Sequence, residues 1–383
     1  MMRWFGFGLG CWLCSLAFAR AQAPPPPMAP PSLLAEFWGH QTRVNALAFS
    51  PDGRLLASAG GHTENPSELE IWLWDVAAGQ ALTFLRGHGS SINGLAFTPD
   101  GQFLLSASGA RASLIFGGDH TLRVWDADPG SPTFGSELAR SDSLTGWLRG
   151  LTVSRDGQWV AAVRNATQTV HLWQLLPGQL VDDEVAEERV TLVEMPPFQG
   201  HRESLHAVAF NADASLLFSG GADPWVGVWE AASGELLTRL HGFRAGPGQR
   251  ITAFALHPAG GLLAIADRNR EVHLYDIRDA PTRIEEVARL TGHRAGLTDV
   301  QFSEAGTTLF AATEAGRIWL WDVRGGETPY RAFAILQEHE DLVMSLAQSG
   351  TLLASAGGRA SGRAPQGDTT IRLWQLQPEG AAP

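Results

Sequence analysis

Lysine is absent from this chain of 383 residues, so all 28 of its Lys+Arg positions are arginine. That bias points to a GC-rich bacterial source rather than to any particular chemistry. Cysteine is almost as scarce. The only two, Cys11 and Cys14, form a Cys-x-x-Cys inside an apolar run, with no second pair to complete a zinc site and no lipoprotein signature around them. Past the first 23 residues there is no cysteine at all, so stability in an oxidising compartment must come from packing. Basic charge is also short: 40 acidic against 28 basic side chains give a formal charge of −12, which argues against a nucleic-acid backbone as partner. Helical patterns are few, and coiled-coil heptads are missing. The one low-complexity stretch runs from Pro24 to Pro31.

At the N-terminus, Arg3 precedes sixteen apolar residues, Trp4 to Ala19, followed by small-residue sites at Ala17-Phe18-Ala19 and Ala21-Gln22-Ala23. This is the layout of a secretory signal peptide, and it falls short of the ~20 residues a membrane span needs. The expected organisation is a cleaved leader over 1–23, a stiff Pro-rich spacer over 24–32, one large domain over 33–377 and a tail over 378–383. Contact with a membrane is then only transient, through the leader. The expected location is periplasmic or extracellular.

What the chain has in abundance is repetition. The stretch Gly87 to Asp126 holds two apolar runs, SINGLAF and QFLLSAS, joined by Thr98-Pro99-Asp100-Gly101, a hairpin turn signal. A third run, Thr121 to Trp125, alternates polar and apolar with the period of a strand. Copies end at Trp74, Trp125, Trp173, Trp229, Tyr275, Trp321 and Trp374, spaced by 46 to 56 residues. Starts survive at Gly39-His40, Gly87-His88, Gly200-His201, Gly292-His293 and Glu338-His339. The third has decayed to Ser143-Leu144 and the fifth to a reversed His241-Gly242. One such unit cannot bury both faces of its sheet and must stack on its neighbours.

A Gly-His start and a Trp-Asp end at this period resemble the WD-repeat family of β-propellers. The resemblance spans roughly residues 34 to 376 and implies an all-β fold of seven four-stranded antiparallel blades. No blade precedes the first Gly-His, and no fourth strand follows Trp374. The segment Leu33 to Trp38 is therefore expected to supply the outer strand of the last blade and close the ring. The family also implies a buried network of His, Ser, Asp and Trp in each blade. The pattern is fullest as His88, Ser106, Asp119 and Trp125; His201, Ser219, Asp223 and Trp229; and His339, Ser355, Asp368 and Trp374. Repeated once per blade, the set reads as structural satisfaction of buried polar groups rather than as a catalytic triad.

Function on a repeat scaffold is expected where copies depart from one another. The second hairpin carries four residues between the strand end and the turn position in blades four to six. It carries ten in the first blade and thirteen in the second and seventh. Ring closure makes those three blades neighbours, so their loops would form a crest with His62, Glu64, Arg111, Leu114, Ile115, Phe116, Arg359 and Arg363. Apolar residues bordered by arginine suit a protein or peptide partner.

The resemblance implies a non-catalytic, monomeric interaction scaffold acting outside the cytoplasm, with no cofactor and no metal. The opposing reading is a propeller enzyme or small-ligand binder using the axial channel or the crest, where His62 and His120 could join Asp119 or Glu64 around a metal. Apart from those two histidines, no convergent set of carboxylates or histidines is expected outside the repeat pattern. The acidic run Asp182 to Glu188 reads as a solvated connection, since it lacks the spacing of a calcium loop. Asn165-Ala166-Thr167 matches a glycosylation acceptor only in form.

Overall fold

The computed structural model describes residues 29–61, 69–109, 119–142, 146–178, 180–181, 184–185, 190–244, 246, 248–324, 330–358 and 368–377. Seven four-stranded antiparallel sheets, each in simple meander order, stand around one axis. No helix occurs among the described residues. In the first blade the strands are Val44–Phe49, Leu55–Gly60, Ile71–Asp75 and Gln80–Leu85, running from the axis outward. The seven inner strands contact one another in sequence, and Val343–Ser349 of the last blade returns to Val44–Phe49 of the first.

The first hairpin shows how local sequence sets the turn. Thr98 Oγ1 donates to Asp100 Oδ1 at 2.5 Å, and the Gln102 amide donates to the same oxygen at 3.0 Å. Gly101 then takes φ of +72°, a conformation that costs glycine nothing. Ser50 with Asp52 and Ser154 with Asp156 repeat the arrangement. Across the hairpin, the alternating strands put Leu56, Leu104, Leu217, Leu263, Leu309 and Leu353 at zero exposure between blades. Gly60, Gly221 and Gly357 sit where a Cβ would lie 2.1, 2.0 and 1.9 Å from the carbonyl oxygens of Arg43, Ser204 and Leu342. No larger residue fits there without moving backbone.

The ring closes as the sequence implies. Ser32–Phe37 pairs antiparallel with Ile371–Gln375 and forms the outer strand of the seventh blade. Ser32, expected in the spacer, already pairs with Gln375 because the ladder needs a partner for the last residue of that strand. At the other end of the strand, Phe37 is 2% exposed and stacks on Trp74 of the first blade at 5.3 Å. Phe37, Val44, Leu56, Trp74, Ala354 and Leu373 belong to one core cluster, so the seam is packed as well as hydrogen-bonded. The acidic connection between the third and fourth blades carries a two-residue ladder, Leu180–Val181 with Glu184–Val185. Asp182, Asp183, Glu187 and Glu188 lie outside the described residues.

One irregularity recurs in every blade. Each inner strand has a β-bulge just after its first or second residue, between Val44 and Ala46 in the first blade and between Ile92 and Gly94 in the second. The same slip appears at Arg149/Leu151, Leu205/Ala207, Ile251/Ala253, Leu297/Asp299 and Val343/Ser345. A bulge re-aims one side chain, and all seven bulged residues but one, Met344, carry a polar group or are glycine. Three of them stitch a blade to the next. Asn45 donates to the Ile92 carbonyl at 3.1 Å, Asn93 to the Leu148 carbonyl at 3.2 Å and Thr298 to the Val343 carbonyl at 2.5 Å.

Removing the seam should therefore loosen the whole ring. Deleting residues 33–38 is expected to lower the melting temperature by well over 10 °C, and Phe37→Ala alone to cost about 3–5 kcal/mol by thermal or urea unfolding. Unchanged melting of both proteins would contradict closure by this strand.

Candidate functional site

The second blade shows what its polar residues do. His88 Nδ1 donates to Asp119 Oδ2 at 2.6 Å, and its Nε2 accepts from the Ser106 hydroxyl at 2.7 Å. Ser106 in turn accepts from Trp125 Nε1 at 2.8 Å. The tautomer follows from this relay, because each hydroxyl and ring nitrogen has one partner to give to and one to receive from. In the fourth blade His201, Asp223, Ser219 and Trp229 repeat it at 2.7, 2.8 and 2.7 Å. In the seventh, His339, Asp368, Ser355 and Trp374 give 3.0, 2.8 and 2.9 Å.

This is the connectivity of a catalytic triad, yet the serine cannot act as a nucleophile. Ser106, Ser219 and Ser355 have zero exposure, and an indole N–H caps each oxygen. A nucleophile needs an open approach and room for a tetrahedral intermediate. Burial drives the His88 pKa down against the pull of Asp119, so the ring is neutral. Burial alone would raise the Asp119 carboxyl, but the His88 and Thr121 hydrogen bonds and the Arg123 guanidinium outweigh it and hold the group well below the usual range. Asp119 is fully engaged, with Oδ2 also accepting from Gly89 N and Arg123 and Oδ1 from Thr121. In the opposing reading, a metal between His120 and Asp119 would have to compete with these four hydrogen bonds for the carboxylate. His120 itself is 5% exposed.

The position two residues before the ring-end aromatic adapts to each blade. Arg123 and Arg372 sit there in the second and seventh blades and reach back to Asp119 and Asp368. Arg372 also lies 3.2 Å from Glu36 of the closing strand, tying the network to the seam. In the third and fifth blades, whose Gly-His start is lost, the same position holds a histidine. His171 Nδ1 meets Glu194 at 2.7 Å while its ring stacks on Trp173, and His273 Nδ1 meets Glu286 at 2.9 Å. Sequence reasoning missed both. The signal was present, since histidine precedes the aromatic by two only where the start motif has decayed.

The substitution is incomplete. Trp173 Nε1 is buried without a hydrogen-bond partner, because the serine position of that blade is Ala162. In the sixth blade Ala311 holds that position, and Trp321 Nε1 donates directly to His293 at 3.3 Å. In the fifth, His273 Nε2 lies 3.5 Å from Asp267 and 3.8 Å from Glu271. Those three could offer metal-ligand atoms within 4.8 Å of one another. Arg289 already neutralises Glu271, at 3.6 Å, and Glu286, at 2.5 Å.

A second set stands at the axis, built mainly of arginine with one histidine and two carboxylates among its members. The channel encloses about 400 Å³, and Arg43, Arg149, Arg250, Arg268, His206, Asp299 and Glu314 contribute to its wall. Asp299 accepts from the Leu346 and Val300 amides at 2.7 and 2.8 Å, and enclosure pushes its pKa up to about 7. Arg43, Arg149, Arg250 and His206 lie at or just before the start of their inner strands, and so mark one end of the ring.

The three long hairpins leave from that same end. Their roots are tied across blades: Ser91 of the second blade donates to the Gly61 carbonyl at 3.0 Å, and Thr369 of the seventh to the His40 carbonyl at 2.6 Å. Asn93 holds the Gly109 carbonyl at 2.6 Å. The crest residues His62, Glu64, Arg111, Leu114, Ile115, Phe116, Arg359 and Arg363 lie outside the described residues. Asn165 is buried, with its amide on the Leu205 carbonyl at 3.3 Å, which does not suit a glycan.

The family model described as "WD domain, G-beta repeat" matches residues 31–63, 79–126, 193–230 and 284–322. The first three strands of the third, fifth and seventh blades fall outside these segments, whereas Ser32–Phe37, the outer strand of the seventh, lies inside the first of them. Among known proteins, the chain is 26% identical over 354 residues to "Transducin beta-like protein 3" of Bos taurus, covering 89% of this chain and 38% of that protein. It is 31% identical over 134 residues to "Eukaryotic translation initiation factor 3 subunit I" of Coccidioides immitis (strain RS), covering 34% and 37%. Over 214 residues it is 22% identical to "Target of rapamycin complex subunit LST8" of Mus musculus, covering 55% and 56%. The matched part thus spans 38%, 37% and 56% of these relatives' own lengths.

Three variants test the relay and the axial carboxyl. His201→Ala should cost about 1–3 kcal/mol by stranding Asp223 and Ser219, whereas Ala162→Ser should gain about 0.5–1.5 kcal/mol by giving Trp173 its acceptor, both read by urea unfolding. A stabilising His201→Ala or a neutral Ala162→Ser would contradict the relay. Asp299 gives a pH test. Its folded pKa is raised, so its contribution to stability is complete below about pH 4 and declines as pH rises to about 7. Between pH 4 and 8, Asp299→Asn should gain on the parent by roughly 4 kcal/mol. A pH-independent difference would show that the carboxyl is not enclosed.

Proposed function

We propose that this protein is a non-catalytic WD-repeat scaffold that holds a protein or peptide partner on the ring face where the inner strands begin, and that it acts outside the cytoplasm. The observation that carries this reading is the placement of three long hairpins on adjacent blades, with cross-tied roots at one end of the ring. The bonds at Gly61, Gly109 and His40 fix where the hairpins leave the ring, so these positions need no ordering when a partner arrives. The polar residues repeated in the blades support the same reading, because they are consumed by one another inside the sheets. Two of the related proteins carry the word "subunit" in their names, which fits assembly with other chains. Export is supported by the leader-like composition of residues 1–23.

Replacing 62–68, 110–118 and 359–367 by turns of the length found between Ser219 and Asp223 tests the idea. The trimmed protein should melt like the parent but no longer retain the partner that the parent captures from an envelope fraction. Equal capture by both proteins would move the binding surface elsewhere.

A further inference from the structure

We propose that the mouth of the axial channel, lined by Arg43, Arg149, Arg250 and Arg268, binds a small, multiply charged oxyanion of the phosphate or polycarboxylate class. In a chain of formal charge −12, this end of the channel gathers four guanidinium groups from the first, third and fifth blades. Only Arg268 is matched, by a hydrogen bond from its Nε to Glu314 at 2.8 Å and a second contact from Nη2. Among the described residues, Arg43, Arg149 and Arg250 have no carboxylate within ion-pair distance. The Nε atoms of Arg43 and Arg149 are buried without a hydrogen-bond partner. A guanidinium taken out of water needs a counter-charge and acceptors, and the only carboxylates among the described lining residues are Glu314, already engaged by Arg268, and Asp299.

The groups act on one another. Burial, then Arg250 and Arg43, pull the Arg149 pKa down to about 10. Burial and then Arg268 lower that of Arg250, with Glu314 opposing them only in part. Between the third and fifth blades, His206 lies 3.3 Å from Arg149 Nη1, and burial with the fields of Arg149, Arg250 and Arg268 holds its pKa near about 3. That imidazole is therefore neutral and adds no charge of its own. Asp299 supplies at most part of the counter-charge, since its carboxyl is half protonated near neutral pH and, among the described residues, no guanidinium lies within ion-pair distance of it.

Repulsion of this kind is a standing cost to the apo ring. An anion carrying several oxygens would remove it, because guanidinium groups pair bidentately with phosphate and carboxylate. A volume of about 400 Å³ admits a pyrophosphate- or citrate-sized molecule and excludes a folded chain. The bulged, cross-stitched inner strands fix the spacing of the arginines before any ligand arrives.

Calorimetric titration of the purified full chain with inorganic pyrophosphate, and separately with citrate, at constant ionic strength set by sodium chloride, tests the proposal. Saturable one-to-one binding of either probe is expected, with dissociation constants of 1 mM or tighter. Arg149→Gln should weaken it at least tenfold, while Arg278→Gln, whose side chain is 75% exposed away from the channel, should leave it unchanged. Without ligand, Arg149→Gln should melt no lower than the parent, since it removes an uncompensated charge. Heats indistinguishable from sodium chloride, binding that Arg149→Gln leaves intact, or an apo variant that melts lower would each overturn the site. None of these outcomes bears on whether the crest holds a protein, which the hairpin-trimmed variant reads separately.

Discussion

A ring of sheets has no stable intermediate between open and closed, and here closure rests on the pairing of Ser32–Phe37 with Ile371–Gln375. Until that strand is in place, the seventh blade has three strands and an open edge, and the Trp74 face of the first blade is uncovered. One short segment settles both problems, because its backbone completes the last sheet while Phe37 crosses the seam to stack on Trp74. Arg372 draws the polar network into the same joint by reaching both Asp368 and Glu36. The seam thus combines the three interactions used elsewhere separately: a ladder, an aromatic contact and a buried ion pair. Everything that depends on neighbouring blades, including the adjacency of the three long hairpins, depends on it.

Within blades the invariant is a hydrogen-bond count rather than a residue. A buried indole N–H needs an acceptor, and a buried imidazole needs one acceptor and one donor. The second, fourth and seventh blades meet these needs with histidine from the loop and serine from the second strand. In the third and fifth, histidine comes from the third strand and glutamate from the fourth. The sixth omits serine and lets tryptophan bond to histidine directly. The repeat can therefore decay in sequence while the blade persists, at the cost of an occasional orphan such as Trp173 Nε1.

These facts explain what was legible in the sequence. Turns with Asp-Gly, alternating strands and ring-end aromatics are local signals, and they yielded seven blades and the closing strand. The His-Ser-Asp-Trp sets were legible where the family pattern was intact. His171 and His273 were not, because the pattern looked for histidine in the loop before the blade. The bulges were invisible for a deeper reason. A bulge is a relation between two strands, and nothing in Val44-Asn45-Ala46 alone marks Asn45 as the residue that will reach Ile92. The channel arginines were hidden by distance, since positions 43, 149, 250 and 268 become neighbours only through the ring. Separated by more than a hundred residues in two of those gaps, they read as ordinary surface charge.

The contrast between the two polar sets also says where function can reside. Groups inside the blades are paired with one another, with few exceptions such as Trp173 Nε1 and His273 Nε2, so a change there is felt mainly as stability. The axial arginines are the reverse: they are partly desolvated, mutually repelling and short of acceptors. Residues that break the rule of satisfied polar groups without any packing gain are the ones expected to serve something besides the fold. The acidic balance of the chain sharpens the point. With 40 carboxylates available, matching three more guanidinium groups would take single substitutions in the channel wall, yet the inner strands place asparagine, threonine and glycine there instead. A wall whose only described carboxylates are Glu314, paired with Arg268, and the half-protonated Asp299 leaves most of the counter-charge to be brought from outside, and the rigidity set by the seam keeps the arginines from moving apart to relieve the repulsion themselves.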